Sequence, residues 1–145
     1  MLNKNLLKKR KKAKIYVLQS MYVWTFNNAE MNIIKDNLFY GKNLNKIDIL
    51  YYDKLFNGIL EKIVLIDKCI YLYGNQNIKN INILELNIIR IAIFEFIFCN
   101  FLSYKIIISE ALFLSKFFGS NFCYSFIKGI LTSIFFTIKF LYKKM

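Results

Sequence analysis

Six positive charges crowd into seven positions near the start of the chain: Lys8, Lys9, Arg10, Lys11, Lys12 and Lys14. Lysine and arginine at this density neutralise phosphates and release condensed counterions, which gives an affinity for nucleic acid that falls with salt. Wound as a helix, the six surround the axis, so several face any one strand of phosphates. Tyr22 lies two to three turns further along the same helix. An aromatic ring beside a basic patch is a stacking platform for an unpaired base, worth about 1–3 kcal/mol. The basic run also fits a solvated tail, or a basic amphipathic helix lying on anionic lipid. Tyr22 taken alone also fits half-buried packing.

Other chemistries find little support. The chain has no His, which removes Ser-His-Asp and Cys-His nucleophilic catalysis, and it has neither a GxGxxG nor a GxxxxGK phosphate loop. Acidic residues are scarce and scattered. Glu61 with Asp67, and Glu85 with Glu95, lack a spacing that brings paired carboxylates onto one helix face. No Lys is singled out as a Schiff-base nucleophile. Cys69, Cys99 and Cys123 are odd in number, far apart and form no CxxC. They read as buried, reduced thiols of a cytoplasmic protein rather than as zinc ligands. The expectation is a non-enzyme without metal or cofactor.

The elements that must position the basic run follow from composition and periodicity. With 145 residues the chain suits one compact domain that buries about 70% of its unfolded surface. Hydrophobic residues reach 57%, above the usual 45–50%, and the excess is Ile and Phe beside much Asn and Lys, as in an A/T-rich coding bias. The formal net charge of +12 favours a polyanionic partner. Two segments resemble membrane elements. Lys8–Lys14 followed by Ile15–Phe26 mimics a signal peptide, but Gln19, Ser20 and Thr25 interrupt it and no small-residue cleavage site follows. Phe117–Ile138 carries one charge, Lys128, at mid-span among Ser120, Asn121, Ser125, Thr132 and Ser133. A mid-bilayer charge costs about 2.5–3.5 kcal/mol, which argues against a spanning helix.

Apolar residues recur at spacings of three and four almost throughout, and Pro is absent, so the chain reads as all-α. The first helix is predicted over Lys9–Asn27, with Ala13, Val17, Leu18, Met21 and Trp24 facing a core. A second runs over Glu30–Tyr40 to Gly41, and a polar loop follows at Asn43–Lys46. Asp48 caps a long third helix carrying Tyr52, Leu55, Phe56, Ile59, Leu60, Ile63, Ile66 and Ile70 on one face. Gly74–Asn82 breaks it and marks the boundary between halves of about 8–74 and 82–142. A fourth helix covers Leu84–Phe98. A fifth covers Lys105–Phe118, capped by Ser103 and stopped at Gly119. The last presents Phe126, Ile127, Ile130, Leu131, Ile134 and Ile138.

Five blocks in order carry a family resemblance. Arg10–Trp24 leads a basic run into a helix with Ala, Gln, Tyr and Trp. Asp48-Ile-Leu-Tyr-Tyr-Asp-Lys-Leu-Phe-Asn-Gly58 follows, with Asp67 at a set interval. Next come Ile89-Arg-Ile-Ala-Ile-Phe-Glu95 and Tyr104-Lys-Ile-Ile-Ile-Ser-Glu-Ala111 with Lys116-Phe-Phe-Gly119. Phe126-Ile-Lys-Gly-Ile-Leu131 completes the series. From about Lys8 to Ser133 the order and spacing resemble those of the NusB-type antitermination factors. The resemblance implies two small helical bundles packed across one another. It also implies binding of a single-stranded boxA-like RNA, a heterodimer with the small-subunit ribosomal protein NusE, and entry into an antitermination complex on RNA polymerase. By the same resemblance Lys8, Lys9, Arg10, Lys11, Lys12, Lys14, Tyr22 and Phe126 fall at RNA-contacting positions and Glu85 at the partner surface, while Arg90 and Glu95 hold helices together. Phe126 equally fits a core position on its helix's apolar stripe.

The chain departs from the family pattern at several places. Ser103 stands for a Pro, Ser109 for an Asn, Lys128 for an Asn and Thr132 for an Asp, and Phe122 sits in a loop that is usually polar. Two other readings compete with an antitermination factor: a small basic membrane-associated protein, and a decayed family member that keeps the fold without specific RNA recognition.

Overall fold

The computed structural model describes residues 4–99, 101–118 and 124–143, and among them every regular element is helical. Gly119, Ser120, Asn121, Phe122 and Cys123, singled out above, lie outside the described residues. The chain forms two compact units, Met1–Glu61 and Lys62–Met145.

The first unit holds α1 (Lys4–Asn27), α2 (Met31–Phe39) and α3 (Ile49–Glu61). α1 begins earlier than its apolar pattern shows, because the basic run itself is helical. Its inward stripe of Ala13, Val17, Leu18 and Met21 is buried against α3, which contributes Tyr52, Leu55, Phe56 and Ile59. Trp24 is only half-buried. The Ser20 and Tyr52 hydroxyls share a buried hydrogen bond of 2.6 Å. Burial, opposed by that bond, pushes the Tyr52 phenol up to about 12, with the nearby Asp53 carboxylate adding to the rise. The Phe39 and Tyr52 rings meet in a T-shaped contact with centroids 4.8 Å apart, which ties α2 to the same core.

Gly41 takes φ +73 after α2, a left-handed turn that favours glycine. A single 3₁₀ turn, Leu44–Lys46, follows, opened by the Asn43 side chain accepting from the Asn45 N–H. Asp48 accepts from the Tyr51 N–H at 3.0 Å and so caps α3, as its position predicts.

The long third helix expected through Ile70 is two helices. Lys62 leaves helical geometry at φ −104, ψ 16, and α4 runs over Ile63–Tyr73. The apolar stripe continues on either side, with Ile59, Ile66 and Ile70 all buried. No Gly or Pro marks the break, so periodicity passes over it. The first unit ends here, whereas the Gly74–Asn82 stretch expected to divide the halves lies within the second unit.

The second unit consists of α4, α5 (Ile83–Phe98), α6 (Tyr104–Phe117) and α7 (Tyr124–Lys143). α5 is its centre: every residue from Leu86 to Glu95 is buried, as in a helix surrounded by others. The Asn82 side chain accepts from the Leu84 N–H at 2.8 Å to start it. Within this centre Arg90 meets Asp67 of α4 through two parallel bonds of 2.8 and 2.9 Å and donates to Asn87 at 3.0 Å. Gly74 ends α4 where a Cβ would stand 2.8 Å from the Ile70 carbonyl oxygen and 2.9 Å from the Ile130 side chain, so a larger residue there would have to displace a neighbour. Ser103 caps α6 by accepting from the Ile106 N–H. Cys69 and Cys99 are buried, and burial raises the Cys69 thiol. Tyr124–Leu141 is long and apolar enough to cross a membrane by length and composition. Its Ile127, Ile130, Leu131, Ile134 and Ile138 are buried in the core of the unit, while Phe136, Phe140 and Leu141 of the same helix are exposed.

Candidate nucleic-acid interface

The helical winding of α1 sorts the six early cations into different roles. Positions 10, 13, 14, 17 and 21 share the inward face, at steps of three and four. Lys14 is therefore 1% exposed, buried beside Ala13 and Val17. Arg10 turns to α3: its Nε donates to Asp48 Oδ2 at 3.3 Å, and its guanidinium lies 4.7 Å from the centre of the Tyr51 ring. Lys11 is half-buried. The six wind around the axis as expected, but packing buries Lys14 and turns Arg10 towards α3. A phosphate strand would meet Lys8, Lys9 and Lys12.

Those three line a groove of about 460 Å³ with Asn5 on the same helix and Asn45 and Lys46 opposite. Asn5, Lys8, Lys9 and Lys12 form one α1 face at i, i+3, i+4 and i+7. The far wall is the 3₁₀ turn, held at its end by the Asp48 N–H donating to the Lys9 carbonyl at 3.2 Å. Four ammonium groups and two amides line the groove, with no carboxylate among them. Such a lining suits phosphate oxygens, through charge and through neutral donors.

A second feature lies along the outward face of α1. Lys8, Lys12, Ile15, Gln19, Tyr22 and Phe26 follow one another at alternating steps of four and three, a single stripe about 27 Å long at 1.5 Å per residue. Tyr22 is 51% and Phe26 62% exposed, and their rings pair at 4.8 Å with a 54° tilt. The stripe runs from charge to exposed π-surface, the combination that holds a strand by its backbone and stacks its bases.

Sequence reasoning missed Phe26, Asn5, Asn45 and Lys46. The i+4 spacing from Tyr22 is a local signal for Phe26. Asn45 and Lys46 have none, since they reach α1 only through the α2–α3 connection. Phe126 and Glu85 belong to the second unit. Phe126 is half-buried in the first turn of α7, beside the buried Ile127. Glu85 is half-buried in the first turn of α5, three residues after the capping Asn82, where a carboxylate favours the helix dipole. Among the described residues no group of three His, Cys, Asp or Glu is placed to hold a metal ion.

Residues 11–135 match the model of the NusB family. The chain belongs to the NusB family. The transcription antitermination protein NusB of Blochmanniella floridana is 30% identical over 125 residues, spanning 86% of this chain and 91% of that protein. A crystal structure of the antitermination factors NusB and NusE in complex with dsRNA superposes with a TM-score of 0.79, at 20% identity, over 90% of this chain and 98% of its counterpart. T. maritima NusB superposes with a TM-score of 0.74 at 21% identity, over 87% and 89%. At these identities the structures establish the NusB fold. The family match begins at Lys11, so Lys8, Lys9 and Asn5 of the groove precede it.

Proposed function

We propose that this NusB-family chain is an RNA-binding transcription antitermination factor, acting without a catalytic step in the cytoplasm. It binds a boxA-like single-stranded RNA together with the ribosomal protein NusE and joins the antitermination complex on RNA polymerase. The observation that carries this reading is the α1 surface: a carboxylate-free groove of Lys8, Lys9, Lys12 and Lys46 leading along one helix face to exposed Tyr22 and Phe26. Phosphates neutralised in the groove fix the strand, and the two rings select unpaired bases, because bases within a duplex are already stacked and paired. The relatives' name, transcription antitermination protein, and the similar fold seen with NusE and RNA support the same reading.

The test is binding of boxA-like RNA, a scrambled single strand and a duplex to the purified protein over a salt series, with and without NusE. Preference for the boxA-like strand, increased by NusE, is the expected result. Equal, weak and purely salt-driven binding to all three would overturn it and leave a basic helical protein of the NusB fold.

A further inference from the structure

The second unit carries a basic groove of its own, between α6 and α7, of about 520 Å³. Lys105, Ser109 and Lys116 line it from one face of α6, and Lys128 and Thr132 from α7. All three lysines are exposed. No carboxylate lines the groove, and α7 contains none. Gathering three like charges from two helices costs repulsion unless an anion offsets it.

The rest of the lining is aromatic and apolar. Tyr124 faces Lys116, whose ammonium lies 5.1 Å from the ring centre. Tyr104 is held in place by stacking on Phe135 at 4.5 Å and 17°. The groove thus has cations at its rim, two tyrosine rings in its walls and a size within the range of small-ligand pockets, about 300–1,000 Å³.

We infer that the α6–α7 groove is a second nucleic-acid contact, taking a short segment of single-stranded RNA with its phosphates on Lys105, Lys116 and Lys128 and a base against Tyr104 or Tyr124. Rings and cations in one cleft favour a nucleotide over an acidic peptide, which would use the charges and leave the rings unoccupied. The inference rests on the RNA-binding reading only for the source of the strand. The groove's own chemistry recognises nucleotides whether or not α1 selects boxA.

Photocrosslinking the full chain to a short 4-thiouridine-substituted single strand, with peptide mapping, reads the two surfaces separately. Crosslinks at Tyr104 or Tyr124, lost in the combined Lys105→Ala, Lys116→Ala, Lys128→Ala variant while those at Tyr22 and Phe26 persist, are the expected result. The log–log salt slope of that variant falls by about 2, at 0.7 per contact. The inference is overturned by crosslinks confined to α1 with an unchanged slope. It is also overturned if a glutamate-rich peptide protects the α6–α7 lysines from acetylation and the oligonucleotide does not. Crosslinks in the groove without any boxA preference would uphold it while overturning the antitermination reading.

Discussion

Arg10 and Asp48 join the start of α1 to the start of α3: the Arg10 Nε donates to Asp48 Oδ2 at 3.3 Å while Asp48 Oδ1 accepts from the Tyr51 N–H at 3.0 Å. One carboxylate thus caps a helix and anchors the helix that carries the basic groove. Asp48→Asn keeps a cap acceptor and loses the ion pair, so stability falls by about 1 kcal/mol. Asp48→Ala loses both and falls by about 2 kcal/mol. Urea melts of the two variants check the order; equal losses would show that the ion pair alone matters.

Lys8, Lys12 and Lys46 are exposed, whereas Lys14 is buried. Replacing the first three with Ala lowers the slope of log Kobs against log salt by about 2, at 0.7 per contact on single strands. Lys14→Met leaves that slope unchanged, although Lys14 belongs to the same basic run as Lys8 and Lys12. RNA titrations from low to moderate salt separate the two variants. A slope that tracks the number of lysines removed, whichever they are, would contradict the sorting of charge by helix face.

Tyr22 and Phe26 present paired rings to solvent. Tyr22→Ala and Phe26→Ala each weaken single-strand binding by about 5- to 150-fold, the equivalent of 1–3 kcal/mol of stacking. Melting temperatures hardly change, since neither ring is buried. Loss of stability with unchanged RNA affinity would assign the pair to packing.

Tyr52 has a phenol pushed up to about 12 by burial. Above pH 10 the unfolded chain loses this proton while the folded chain keeps it, so the unfolded state binds fewer protons and stability falls. The contribution is complete below pH 10 and is lost towards pH 12, at about 1.4 kcal/mol per pH unit. Tyr52→Phe removes this alkaline component, a difference visible in stability profiles from pH 8 to 12.

Asp67 is the bidentate partner of Arg90, which is 7% exposed. Asp67→Ala leaves that guanidinium buried without its carboxylate and costs about 3 kcal/mol, the low end for a broken buried pair because Asp67 is partly solvated. Arg90→Lys, which loses the fork geometry, is also destabilising. A chemical-denaturation series places both variants.

The sequence by itself determined the helical class, the order of the helices and most of their ends. These depend on local signals: apolar steps of three and four, Ser103, Asn82 and Asp48 as caps, and Gly41 and Gly74 as stops. It also determined that a dense positive charge opens α1, and the ordered blocks from Lys8 to Ser133 carried the family. Only the tertiary structure decided which of those charges are available. Lys14 and Arg10 share the face that α3 covers, and the interior of a run of like residues offers no contrast by which that face could be read. The break at Lys62 was hidden for a related reason, since the apolar stripe resumes on its far side. Asn45 and Lys46 joined the groove because the chain returns to α1 after α2, and a closure between residues nearly forty apart leaves no periodic trace. Periodicity records which residues share a side of one helix. Which side is inward, and what crosses to meet it, is settled by packing.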